Sequence, residues 1–567
     1  MPKKTVILEN GKKITLTDGD YVASGGEGAV YKQGNRAFKI YHDPKKTIPE
    51  GKIKELSAIT PKNVLGPKGV LKSTRGMPIG FIYVFQPNAT PLCKFFTKSY
   101  RKTVGFTEIH AADIVRIMQE TVEQIHRERF LIVDLNEMNF LISRKMDIPY
   151  FLDVDSWQTP SYKATALMES VRDRQVKNQK FTTLSDWFSF AVVAFQLYIG
   201  IHPYKGKHPD YKPKDWSKRM DDGASIFDSK CIIPSSCRPM DVIPKGHLGW
   251  FKDVFANNNR SAPPLPEGLL IVTGEELVIV KGNENFHAER VGKCIEDILS
   301  VHPINGQNYT LTQEHVFMTT RGKAPAVDGL GACDKVVVCE SPGQYPIVCR
   351  LQDNVLYIEE ILTGTKIGDM DFHADDIMSN GGRLYSKSED SIFEHNFIAG
   401  KNVIHNTRLV CKCLPNSTQV FDGVVYQDML GQPAFIVPYQ NKSSFFNIIK
   451  EIRGYRVLDA KAEDNVLVVL TEKSNVYYRF IVIFNDDFSS YTVRKVDDVV
   501  YDAINFVKIP GGPCILSLSG NRIEVFVDNS KVKEIDKTPF DTSTKLFHVG
   551  GKVHFVNGKE VYSVTMK

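Results

Sequence analysis

Asp134, Asn139 and Asp153 are the residues of this 567-residue chain whose types and spacing best suit chemistry. They stand in Asp134-Leu135-Asn136-Glu137-Met138-Asn139 and in Leu152-Asp153-Val154-Asp155, each amid apolar neighbours, unlike a solvated charge run. Phosphoryl transfer asks for one carboxylate to orient a hydroxyl, and for an amide and a second carboxylate to hold magnesium against a triphosphate. Asp134 has the position of the orienting base, and Asn139 and Asp153 have those of the metal ligands. Asp155 is open between two readings, a solvated turn residue and a third carboxylate near the metal.

Such groups need elements to position them. Upstream, Ala23-Ser24-Gly25-Gly26-Glu27-Gly28-Ala29-Val30-Tyr31 is a glycine-rich turn between strands. Glycine lets backbone amides approach phosphate oxygens with no Cβ in the way. Lys39 follows in the strand pattern Arg36–Tyr41. Met77 to Asn88 reads as a strand running into a linker. Ile114, Ile117, Met118, Val122 and Ile125 recur at helical spacing from Ala111 to His126. Val6 to Leu16, with Asn10-Gly11 between two apolar runs, predicts a hairpin. A strand-rich start thus gives way to a helical remainder, the order of a two-lobed α+β unit.

These segments resemble, in order and spacing, the protein kinases: Gly28-Ala29-Val30 and Ala37-Phe38-Lys39 resemble the G-x-V and A-x-K strands, Asp134 to Asn139 the D-x-x-x-x-N loop, and Asp153 the aspartate of D-F-G. Asp186-Trp187-Phe188-Ser189-Phe190 is similar to the family's D-x-W-S-F helix, whose aspartate braces the catalytic-loop backbone. Gly200-Ile201-His202-Pro203-Tyr204 and Arg260 are similar to its later landmarks, Arg260 being the arginine that closes the domain. The resemblance implies an α+β bilobal kinase-like domain over 1–264, with an N-lobe to about residue 88, binding ATP and magnesium. It implies Gly25, Gly26, Gly28, Val30, Ala37, Lys39, Val84 and Gln86 on the nucleotide, and Asp134, Lys39 and Glu55 in catalysis. Glu55, in Lys52-Ile53-Lys54-Glu55-Leu56, is the expected helix partner of Lys39; Glu50, between Pro49 and Gly51, is the poorer candidate.

The match also departs from the family. Ala23 replaces the first glycine, Ile132 and Val133 replace His-Arg, and Asn136 replaces a lysine that faces the transferred phosphoryl group. Without that arginine, a loop phosphate loses its main charge partner, so no such switching is expected. No A-P-E ending is found in residues 156–185. The D-L-N-E-x-N and D-V-D-S-W wording resembles a divergent bacterial and phage branch that often carries C-terminal modules.

Beyond Ala262-Pro263-Pro264-Leu265-Pro266 the chain changes character, and residues 265–567 form the second expected domain. Strand starts at Leu384, Val424, Val466, Cys514 and Lys552 recur about every 40 to 48 residues, near the period of four-stranded propeller blades. Six or seven blades are predicted, with a pair of β-sandwiches as the alternative. Closure by a 268–282 strand is expected. Residues 1–264 carry a net charge of +13 and residues 265–567 a net charge of −8, which also points to two bodies. The positives are scattered, against a nucleic-acid partner. Ten cysteines without a C-x-x-C pair suggest neither a disulfide scaffold nor a zinc site. No signal sequence is read at the start, and the longest apolar run, Trp187 to Ile199, is too short to span a membrane. A cytoplasmic location is expected, in the host if phage-encoded.

The function these expectations favour is an ATP- and magnesium-dependent Ser/Thr protein kinase whose propeller binds a protein substrate or partner. A pseudokinase scaffold and a kinase-fold nucleotidyl transferase are the alternatives.

Overall fold

The computed structural model describes residues 4–264, 286–304, 307–318, 325–340, 346–367, 372–398, 404–438, 445–549 and 551–566. The chain divides into two compact units. The first runs from the N-terminus to Glu275 and takes in Lys473–Tyr477 and Val500–Asp502; the second holds the remainder. The expected boundary after Pro264 abuts residues outside the described ones.

The first unit opens with strands β1 (Lys4–Leu8), β2 (Lys13–Leu16), β3 (Tyr21–Ser24), β4 (Gly28–Gln33) and β5 (Arg36–Tyr41). The Asn10-Gly11 turn joins β1 to β2, with Gly11 at φ +79°, a conformation that favours glycine. Helix α1 (Glu50–Ser57) follows, then β6 (Gly69–Lys72) and β7 (Pro78–Val84). The seven strands form one antiparallel sheet in the order β2-β1-β6-β7-β5-β4-β3. Lys39 lies opposite Val30 on one side and Phe81 on the other, in the interior of this sheet.

Among the described residues, the rest of the unit holds five α-helices, α2 (Lys98–Val104), α3 (Glu108–Arg127), α4 (Thr183–Ile199), α5 (Trp216–Asp222) and α6 (Lys245–Phe255), beside a short three-stranded sheet of Thr90–Pro91, Phe140–Ile142 and Pro149–Phe151. In α3, Thr107 caps the N-terminus by accepting from the His110 amide, and Ile114, Val115, Met118, Val122 and Ile125 form the buried stripe. Helix α4 is apolar all round and every residue from Ser185 to Ile199 is buried, as such a composition requires. Thr182 caps its start, and Gly200 at φ +95° ends it. None of the described helices is long and apolar enough to cross a membrane. All ten cysteines are free.

The second unit is all antiparallel sheet. Seven sheets follow one another, six of four strands and one with an additional strand. Their first strands are Ile298–Ile304, Lys335–Glu340, Asp376–Asn380, Thr418–Phe421, Arg456–Glu463, Phe506–Lys508 and Leu546–Val549. The strands that recur in the sequence are the second strands, such as Val424–Asp428 and Val466–Lys473. They are buried on both faces, so they read as continuous apolar runs. Gln307–Thr312, the second strand of the first sheet, has no such run and escapes the pattern.

Adjacent sheets pack face to face. Phe435 of the fourth sheet shares a core with Leu467, Val469 and Phe480 of the fifth. Lys461 Nζ donates to the Phe506 carbonyl (2.7 Å), and the Lys508 amide donates to Glu463 (3.1 Å), linking two further first strands. The last sheet is completed by Phe286–Lys293, which pairs with Glu560–Met566. The strand expected at 268–282 lies outside the described residues.

Gly423 marks the contact between two sheets: it has φ +75°, and a Cβ there would collide with the Ala462 carbonyl oxygen. Gly423→Ala is therefore expected to cost about 2 kcal/mol or more, because strain and a backbone clash add. Denaturant unfolding followed by a probe in the second unit checks this; an unchanged midpoint would contradict it.

Candidate active site

Asp186 holds the site from below. This fully buried carboxylate accepts from the Ile132 amide (2.8 Å) and the Val133 amide (2.9 Å), and lies 3.0 Å from His126 Nε2. The two amides are those of the residues just before Asp134. Val133 has φ +62°, a costly backbone state for a β-branched residue. Charge-assisted bonds from both amides hold that turn in place. The Asp134 side chain is thereby presented at the end of a constrained loop.

Asp134 is buried, and its Oδ1 accepts from the Met168 amide at 2.7 Å. Its Oδ2 faces the Asn139 amide nitrogen at 3.4 Å. Burial raises its carboxyl above the ordinary aspartate range, partly offset by hydrogen bonds from Asn136, Met168 and Asn139. The Asn139 amide also donates to the Asp134 carbonyl (3.0 Å), which turns its Oδ1 to another side.

Lys39 brings the upper sheet to this loop. Its ammonium is 2.8 Å from Asp155 Oδ2 and 3.6 Å from both Asp153 Oδ1 and Glu27 Oε2. Burial works to lower its pKa, but Asp155, then Asp153 and Tyr41, outweigh burial and hold it well above the usual lysine value. The Tyr41 hydroxyl donates to the same Asp155 oxygen at 2.6 Å. Asp155 is thus neither a solvated turn residue nor a free metal ligand. It is buried as the partner of Lys39, and its other oxygen is buried without a hydrogen-bond partner.

Glu55 is not the partner of Lys39, contrary to expectation. It faces the segment after Asp155, accepting from the Ser161 amide at 3.3 Å. A hydrogen bond from Thr159, offset by slight burial, and those from Ser161 hold its carboxyl below the usual range. Glu50 does begin α1 and pairs with Lys72 at 3.0 Å. Its neighbour Gly51 lies against the Tyr162 hydroxyl, which occupies the place a Cβ would take.

The glycine turn is folded tightly. The Gly25 amide donates to the Gly28 carbonyl and the His42 amide to the Glu27 carbonyl, each at 2.9 Å. Gly28 packs against Ile40, whose carbonyl leaves no room for a Cβ, whereas Gly25 and Gly26 face open space. Ala37 is buried beside Lys39, opposite Tyr83, and Val30 is half-buried. Val84 is exposed at the end of β7, and the Phe85 amide donates to the Asn35 carbonyl (2.9 Å) before the chain reaches Gln86.

Arg260 makes a two-pronged pair with Asp173, at 2.9 and 2.8 Å, and stacks over Phe188. Asp173 was missed in the sequence. Its signal was that Glu169 and Asp173 are the only carboxylates between Asp155 and Asp186, while a buried arginine needs a partner. His202 secures the same segment, bonding the Ser170 carbonyl at 2.9 Å; burial lowers its pKa to about 3, so it remains neutral.

Two residues here could offer oxygens to a hard cation: Asp153, whose side chain is largely exposed at φ +49°, and Asn139, through the amide oxygen that its own donation leaves free. Among the described residues no group of three or more His, Cys, Asp or Glu side chains could hold a metal. Two protein oxygens suit magnesium, which takes its remaining ligands from water and phosphate. No protein-family model matches the chain, and no curated protein matches it.

Asp186→Ala would leave two buried amides unsatisfied and release the Val133 turn. A loss of about 3 kcal/mol is expected from such orphaned donors, with the denaturant m-value unchanged. A shift below about 1 kcal/mol in urea unfolding would show that the loop is held otherwise.

Proposed function

We propose that this chain is an ATP- and magnesium-dependent protein kinase of the divergent kinase-like type, with a seven-bladed propeller that binds a protein substrate or partner. The observation that carries this reading is that three separate segments meet: Lys39 Nζ lies 3.6 Å from Asp153, Asn139 donates to the Asp134 carbonyl at 3.0 Å, and the Leu152 amide beside Asp153 donates to the Asn139 carbonyl at 2.8 Å. The bilobal reading is supported by the antiparallel sheet before the linker and the helical part after it. The propeller reading is supported by seven successive antiparallel sheets, the last completed by the strand that precedes the first.

In this reading Gly25 and Gly26, with open space at their Cβ positions, let the turn close over the phosphates. Lys39 contacts the α- and β-phosphate oxygens, and the backbone from Val84 to Gln86 takes the adenine. Asn139 and Asp153 would hold magnesium, which when bound would neutralise charge on the transferred triphosphate. Asp134 orients the acceptor hydroxyl through Oδ2, since Oδ1 is held by Met168. Positioning and electrostatics supply the rate, as such transfers demand of a protein.

A second reading is a nucleotide-binding scaffold without transfer. The Met168 amide on Asp134 favours it, because it covers one of the two oxygens of the base.

Radiolabel transfer from ATP to the chain itself or to a generic acceptor separates the two. Transfer is expected for the wild type and background signal for Asp153→Ala; equal signals would sink the kinase reading. Asp134→Asn should lower kcat by about 100-fold or more with ATP binding retained. The base must be ionised, and its pKa is raised. The rate should therefore rise with pH through a midpoint above the ordinary aspartate value of about 3.9. A pH-independent rate across that range would contradict the role given to Asp134.

A further inference from the structure

Protein kinases, which this chain resembles, secure their strand lysine with a glutamate from a helix. Here α1 offers no carboxylate to Lys39. Its Glu55 reaches the Ser161 amide, its Lys52 donates to the Lys163 carbonyl at 3.3 Å, and its Gly51 lies against Tyr162. Three successive features of α1 thus point at the segment 159–163. Lys52 is itself buried, in the helix that was expected to bring an acid. The partner of Lys39 is instead Asp155, two residues after Asp153 on the same turn. Tyr41, two residues after Lys39 on β5, closes a three-membered network by donating to the same oxygen.

We propose that Asp155, oriented by Tyr41, is the positioning residue that fixes Lys39 for phosphate binding, and that α1 instead clamps the segment 159–163. The inference rests on the nucleotide reading given above. Its physical basis is the cost of a buried ammonium: Lys39 keeps its place only while a hydrogen-bonded carboxylate faces it. Because Asp155 shares a turn with Asp153, the lysine and the metal ligand are set by one short piece of chain. Lys39 then remains in register whether or not α1 moves.

The test is equilibrium binding of Mg-ATP and of adenosine to the full-length chain and three variants. Asp155→Asn should weaken ATP binding about tenfold or more, the size of one charged hydrogen bond, and leave adenosine affinity unchanged. Adenosine carries no phosphate, so its retention separates loss of positioning from loss of fold. Tyr41→Phe should weaken ATP about threefold, again sparing adenosine, and it serves if Asp155→Asn does not fold. Glu55→Ala should leave ATP affinity within about twofold. The inference is overturned if Glu55→Ala weakens ATP as much as Asp155→Asn, or if neither Asp155→Asn nor Tyr41→Phe changes ATP affinity. Failure of the wild type to bind ATP at all would overturn the nucleotide reading along with it, whereas tight wild-type binding with unaffected variants overturns the positioning role alone.

Discussion

A buried ammonium must be paired, and the site is organised around that constraint. Lys39 sits in the interior of a seven-stranded sheet, flanked by Phe81 and Tyr41, where an unpaired charge would cost several kcal/mol. Asp155 meets the requirement at 2.8 Å, and Tyr41 completes the hydrogen bonding of the shared oxygen. The pair ties the sheet to the turn that carries Asp153. Through that turn it sets the distance between the lysine and the proposed metal ligand.

The complementary anchor is Asp186. It holds the backbone before Asp134 in a conformation that Val133 would not adopt unaided. Asp153 is also at positive φ, so both acidic residues of the proposed chemistry sit beside or on strained backbone. Such strain persists where the surroundings over-determine it. Here the surroundings are a buried helix, α4, and a segment fastened by the Arg260–Asp173 pair and by His202. Rigid packing in the helical part thus maintains the presentation of Asp134.

Much of this was legible in the residues. The hairpin over β1 and β2, the strand bearing Lys39, the amphipathic α3 and the buried α4 all carry their own local signals: a turn dipeptide, a short run rich in apolar residues, a helical stripe and an apolar segment. The repeat in the second unit was visible because the second strand of most of its sheets is buried on both faces. What could not be read were pairings set by tertiary packing. Glu55 has the spacing to reach a strand lysine, yet the side chain that does so comes from 116 residues downstream of Lys39. Asp155 was ambiguous because a turn aspartate has no periodicity to reveal its orientation. Asp173 was hidden for a similar reason, since its partner lies 87 residues away.

The most direct measurement is a structure of the full-length chain determined with a non-hydrolysable ATP analogue and magnesium. The triphosphate should lie between the Gly25–Gly28 turn and Lys39, with the cation on Asn139 and Asp153 and with Asp155 still on Lys39. An analogue bound away from these residues, or Glu55 in place of Asp155 on Lys39, would contradict the proposed site.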